Sequence, residues 1–105
     1  MKDNPHIVYW KENDGDYVFV NMAKVASVYV GIRRRSMMEE LNPEDEIEIR
    51  FFTSPTSSIV ASRPIDMKKI KDKDRFLKTL VTRLFRVSGI RSLDEIIEDA
   101  MKAEG

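Results

Sequence analysis

The hydrophobic pattern of this chain changes its period once, close to Asp66, and this change limits the possible folds more than any other feature. Before it, apolar residues alternate with polar ones or form short β-branched and aromatic runs, which is typical of strands. After it, they recur about every 3.6 residues, the spacing that places side chains on one face of a helix. A chain of 105 residues can bury one hydrophobic core. We therefore predict one α+β domain over residues 1–105, with a β-rich half in residues 1–65 and a helical hairpin in residues 66–105.

The β-rich half is predicted to contain five strands and one short helix. The first two strands flank Asp14 and Gly15, a pair that favours a tight reversal, so they should form a hairpin. The fourth strand alternates most clearly, with Ile47 and Ile49 on one side and Glu48 on the other. We expect a small, barrel-like antiparallel arrangement. The predicted strands are residues 7–10, 17–20, 24–32, 46–52 and 58–63, and the predicted helix is residues 36–41.

Two helices are predicted in the second half. The first carries an apolar stripe from Ile70 to Phe85 and should end near Gly89, a residue that commonly ends helices. The second begins at a capping box formed by Ser92 and Glu95, in which each side chain satisfies a free amide at the start of the helix.

The sequence lacks residues that several classes of function commonly require. There are no cysteines and one histidine, His6, and the four glycines are scattered rather than grouped into a phosphate-binding loop. We therefore expect no enzymatic activity, no catalytic or metal site, no cofactor and no small-molecule substrate.

The longest apolar runs are about four residues, far short of a membrane span, and the first residues do not resemble a secretory signal. A cytoplasmic location is expected.

Charge is distributed unevenly, although 18 basic residues balance 18 acidic ones. Residues 66–91 hold nine basic side chains against three acidic ones, whereas residues 92–105 reverse the balance. A high charge content without cysteine is also typical of proteins from hot environments. The basic segment suggests contact with a polyanion, but lysines on the water side of an amphipathic helix are equally ordinary.

Arg33, Arg34 and Arg35 are the sharpest candidate for contact with nucleic acid. Three consecutive arginines after a strand can neutralise phosphates, which releases counterions. The alternative is a solvated strand end, because such charges are unlikely to point inward. Further candidate contacts are Lys24, Lys68 and Lys69.

Aromatic residues crowd the first hairpin and the third strand. They could stack on the bases of a single strand, but large aromatic residues at alternating positions more often pack in a core or a dimer interface. We favour a homodimer because both faces of the hairpin are apolar. The predicted dimer interface comprises Tyr9, Trp10, Phe19, Leu93 and Ile97.

An apolar strand that ends at Ile32 is followed by the arginines, a short helical segment and a turn at Pro43, and then by an alternating strand that starts near Ile47. This order, over residues 24–63, resembles the SpoVT/AbrB family of DNA-binding transcription factors. The resemblance implies that two chains exchange hairpins to form one barrel. It also implies that Arg34 and Arg35 contact DNA, with Arg33 at the position of a family proline.

A second resemblance involves the end of the chain. Residues 84–100 are similar to the segment of ribbon-helix-helix repressors that joins and caps two helices. That similarity implies that a strand from each of two chains enters the major groove. Residues 58–62 would be the strand, although they lack the side chains that commonly read bases.

The sequence thus favours a homodimeric regulator of transcription that contacts duplex DNA through its arginine cluster. The alternative is a non-enzymatic module, such as a small viral or accessory factor, that binds another protein through its apolar strands. Overall neutrality favours this alternative, and the local concentration of arginine and lysine favours the first.

Overall fold

A computed structural model describes residues 5–33 and 45–104 of the chain. The predicted helix at residues 36–41 lies outside them, as do Arg34 and Arg35. The fold is α+β, with six strands in two three-stranded sheets and two helices in the second half. In chain order the elements are β1 (His6–Lys11), β2 (Tyr17–Asn21), β3 (Ser27–Arg33), β4 (Asp45–Ser54), β5 (Ser57–Ile65), α1 (Lys73–Phe85), β6 (Gly89–Ser92) and α2 (Leu93–Glu104), with short 3₁₀ turns at Met22–Lys24 and Met67–Lys69.

The first sheet, sheet A, has the strand order β2-β1-β6. Its β1–β2 hairpin is confirmed, with Tyr9 opposite Phe19, and Gly15 in the turn takes the positive φ that glycine accepts readily. The third strand, β6, pairs in parallel with β1. This pairing adds a strand to residues 66–105, which were predicted to form a helical hairpin.

Sheet B is an antiparallel meander in the order β3-β4-β5. The predicted alternation of β4 is confirmed, since Ile47, Ile49 and Phe51 are fully buried on its inner face. The five-stranded, barrel-like arrangement is wrong: two separate sheets form instead, and neither closes on itself. The sequence pattern defined the strands but not their partners, because pairing depends on contacts distant in sequence.

One hydrophobic core joins the inner faces of both sheets to the helices. Trp10 of β1 stacks on Phe51 of β4 with a centroid distance of 5.6 Å. From α1, Phe76, Leu80 and Leu84 enter the same core at helical spacing. None of the helices among the described residues is both long and apolar enough to cross a membrane.

The first helix is shorter at both ends than predicted. Asp72 caps its start by accepting a hydrogen bond from the Arg75 amide at 3.2 Å, so Ile70 lies before the helix. At the other end, the helix stops at Phe85 and Gly89, with a φ of 82°, begins β6. The Gly89 amide donates to the Pro5 carbonyl at 2.6 Å, which helps to hold β6 beside β1.

Candidate nucleic-acid interface

Arg33, the first residue of the predicted arginine cluster, has an ion-pair partner within its own chain. Its Nη2 lies 2.9 Å from Oε1 of Glu48 on the neighbouring strand. The other carboxylate oxygen, Oε2, accepts from Nε of Arg50 at 2.9 Å. A cluster that projects freely into water was expected, and Arg33 does not meet that expectation.

Glu48 is the one charged residue among those described that is buried, with 6% of its surface exposed. It lies on the outer face of β4, and its strand neighbours are Gly31 on β3 and Ser62 on β5. A buried carboxylate requires compensation by charge and hydrogen bonds, and Arg33 and Arg50 supply both. The alternation of β4 predicts Glu48 on the outer face but does not predict this role.

The predicted lysine contacts are exposed but do not join Arg33. Lys24 ends the first 3₁₀ turn, whereas Lys68 and Lys69 lie in the second, before α1. None of the three lines the concavity that contains Arg33. The structure therefore does not gather the predicted contacts into one described surface.

A different basic surface lies along α1. The helix and the segment that leads into α2 enclose a groove of about 790 Å³, which we call the α1 groove. Thr79 and Thr82 contribute to its lining, and the Thr82 hydroxyl donates to the Lys78 carbonyl within the helix. The cations that line it are Arg75, Lys78, Arg83, Arg86 and Arg91.

The cations of the α1 groove differ in their partners. Arg91 is held by α2, with its Nη2 3.2 Å from Asp99 Oδ2 and its Nε 3.6 Å from Glu95. By contrast, the side chains of Arg75, Lys78, Arg83 and Arg86, the α1 cations, form no ion pair or hydrogen bond within the part of the chain that the structure describes. All four are exposed, so their charge is available to an external anion.

Three carboxylates also line the groove, so it is not uniformly basic. Asp72 caps α1, Asp74 lies in the first turn of that helix, and Asp99 binds Arg91. The five cations outnumber them. The sequence shows the charge excess of this segment, but the α1 cations were not among the predicted contacts. Helical spacing combined with that excess was the signal that could have identified them.

The predicted dimer interface divides into two groups. Trp10, Leu93 and Ile97 are buried within the single chain, so they are corrected to core residues, because the two sheets and α2 cover them. Tyr9 and Phe19 instead lie on the outer face of sheet A and stack at 5.6 Å. With Tyr17, they form an exposed aromatic cluster.

His6 has a structural partner, since its Nδ1 lies 2.7 Å from the Val87 carbonyl oxygen. Among residues 5–33 and 45–104, no group of three acidic, histidine or cysteine side chains is placed to hold a metal ion.

Comparison of the chain with models of protein families, with curated proteins and with solved structures finds no match. These comparisons bear on neither of the two family resemblances.

Proposed function

We propose that this protein binds duplex DNA, and that the α1 groove is where it contacts the phosphate backbone. The observation that carries the proposal is the set of four exposed α1 cations with no described internal partner. Arginine and lysine contacts to phosphates supply most of the affinity of sequence-independent DNA binding, because each contact releases condensed counterions.

The spacing of the α1 cations fits an extended anion. Arg75 lies in the first turn of α1, and Arg86, eleven positions later, caps its end; the distance along the helix axis is about 16 Å at a rise of about 1.5 Å per residue. The same length of duplex axis carries about nine phosphate charges. Several cations can therefore contact the backbone together, which a single small anion would not allow.

Duplex DNA is the first polyanion to test, because the resemblance of residues 24–63 to the SpoVT/AbrB family points to it. Phosphate contacts fix the position of a protein on DNA but carry no sequence information. A role as a regulator of transcription would therefore need base contacts elsewhere, and Arg34 and Arg35 remain the candidates from the sequence.

A salt-titrated binding assay tests this proposal. Fluorescence anisotropy of a labelled duplex should give a plot of log affinity against log salt with a slope of about −3 to −4 if the four α1 cations each contact a phosphate. The variant R83Q/R86Q should bind about 10- to 30-fold more weakly, because it loses two phosphate contacts and each exposed ion pair contributes up to ~1 kcal/mol. Its slope should be less steep by about 2.

The matched control is K11Q/K102Q, which removes the same charge from exposed positions outside the groove. It should bind within about twofold of the parent chain if contact is confined to α1. Equal losses in the two variants would contradict the assignment to α1. No binding by the parent chain at micromolar concentration would contradict the function itself.

The aromatic cluster on sheet A favours a second candidate, self-association into a homodimer. Phe19 is 60% exposed, and exposed apolar patches commonly mark contact surfaces. Lys11, the cation beside the cluster, lies 5.9 Å from the Tyr17 ring centroid, and the whole chain has no net charge. Two copies of this face therefore meet little charge repulsion.

Light scattering should give a dimer mass for the parent chain and a monomer mass for F19E, and a monomeric parent at about 100 µM would exclude this candidate.

A further inference from the structure

The outer face of sheet B contains a second concavity, whose lining differs chemically from that of the α1 groove. It has a volume of about 370 Å³ and lies along β3 and β4. That volume falls within the range of small-ligand sites. Its lining combines aromatic rings with paired charges: Tyr29, Gly31, Arg33, Glu48, Arg50 and Phe52.

The charged part of this site is ordered by Glu48. Its two carboxylate oxygens each bind a different arginine at 2.9 Å, Arg33 through Nη2 and Arg50 through Nε. Two arginines thus share the carboxylate of Glu48, while Glu46, opposite Arg33, adds a second carboxylate to the same face of sheet B. The side chains of Arg33 and Arg50 are 66% and 40% exposed. Because a guanidinium group has five N–H donors, both arginines keep donors for an external anion.

The aromatic part of the site adjoins the charged part, since Tyr29 on β3 lies opposite Arg50 on β4. Tyr29 packs across Gly31 so closely that a β-carbon there would lie 2.7 Å from the tyrosine hydroxyl. Tyr29 is nevertheless 52% exposed, and Phe52 on β4 is partly exposed. Neither ring stacks on another aromatic ring of the described residues. Their faces can therefore accept a planar ring, as the stacking platforms of nucleic-acid binding proteins do.

We propose that this concavity binds a nucleoside phosphate, with the base against Tyr29 and Phe52 and the phosphate at Arg33 and Arg50. Glu48 is a positioning residue that fixes both guanidinium groups before the ligand arrives. The site goes beyond the proposed duplex contact, because it lies on the outer face of sheet B. Val28 and Val30, on the other face of β3, pack with α1 in the core.

Calorimetric titration with AMP, adenosine and a single-stranded oligomer of eight deoxythymidines tests the proposal on the full chain. We expect AMP to bind with a Kd between about 10 µM and 1 mM. Adenosine should bind at least about tenfold more weakly, because it lacks the phosphate. If the oligomer binds about tenfold or more tightly than AMP, the ligand of the site is a nucleotide within a single strand. If the oligomer binds equally or more weakly, the ligand is a free nucleotide.

Two exposed positions provide variants that should keep the fold. Y29A should lower AMP affinity by about 5- to 100-fold through loss of stacking, and Y29F should remain within about twofold. R33Q should lower it by about tenfold. The controls Y17A and R83Q alter an exposed tyrosine on sheet A and an exposed arginine on α1, and neither should change AMP affinity.

Absence of saturable binding of both AMP and the oligomer at about 5 mM would overturn the proposal. Equal losses in Y29A and Y17A, with both variants folded by circular dichroism, would overturn it as well. The result is separable from the duplex assay: R83Q/R86Q should lose duplex affinity and keep AMP affinity, so either proposal can fail alone.

Discussion

The arginines of the strands and the arginines of α1 have opposite surroundings. Arg33, Arg50 and Arg63 each bind a carboxylate of their own chain at 2.8 to 2.9 Å. Arg83 and Arg86 have no such partner among the described residues. The comparison teaches that the density of basic residues in a sequence does not identify a binding surface. The fold must also be known, because it decides which guanidinium groups are already held by a carboxylate of their own chain.

The largest effect on stability is expected at the carboxylate that serves two of the strand arginines. Glu48→Ala should lower the free energy of unfolding by about 3 kcal/mol, since it removes two charge-assisted hydrogen bonds, each of which contributes about 1.5 kcal/mol. Denaturant unfolding followed by circular dichroism measures the change. Glu98→Ala, which removes an exposed partner of Lys102, is the control and should cost at most about 0.5 kcal/mol. Similar losses in the two variants would erase the distinction between a buried and a surface carboxylate.

A smaller loss of stability is expected for Arg63→Ala. Arg63 binds both carboxylate oxygens of Asp94 at 2.8 Å, and its third nitrogen donates to the Lys11 carbonyl at 2.9 Å. It therefore ties β5 to the start of α2 and to the end of β1. Loss of this charge-assisted pair should lower the free energy of unfolding by about 2 kcal/mol. Arg91→Ala, which removes a more exposed ion pair, should cost no more than about 1 kcal/mol. A larger loss for Arg91→Ala than for Arg63→Ala would show that Arg63 does not join the sheets.

The smallest effect on stability should come from the α1 cations. R83Q/R86Q should change the free energy of unfolding by less than about 0.5 kcal/mol, because these side chains have no described internal contact to lose. The same thermal or denaturant unfolding experiment measures it. A loss above about 1 kcal/mol would mean that these arginines support the fold, and it would remove the contrast with the strand arginines.

Local patterns predicted most strands and both helices. The turn at Asp14 and Gly15 predicted the first hairpin, and the alternation around Ile47 predicted which face of β4 is buried. These features depend on neighbours within a few residues, where the period of the side chains is directly visible. The start of α2 at Leu93, directly after Ser92, agrees with the predicted capping position.

The pairing of distant segments could not be predicted in the same way. The strand β6 has only four residues and begins at a glycine, a residue that commonly ends helices, so nothing local distinguished it from a turn. It becomes a strand because β1, more than eighty residues earlier, offers a parallel edge. Trp10 was assigned to an interface for a related reason, since its burial depends on Phe51 in the other sheet.

The sequence by itself determined the α+β composition, the inner face of β4 and the basic character of residues 66–91, because each follows from the order of residues along a short segment. Only the tertiary structure decided which charges are held by a partner in the same chain. Glu48 holds Arg33 because β3 and β4 pair in one particular register, with Gly31 opposite Glu48. Ion pairs form between side chains that folding brings within about 4 Å, and that distance is set by packing rather than by position in the chain.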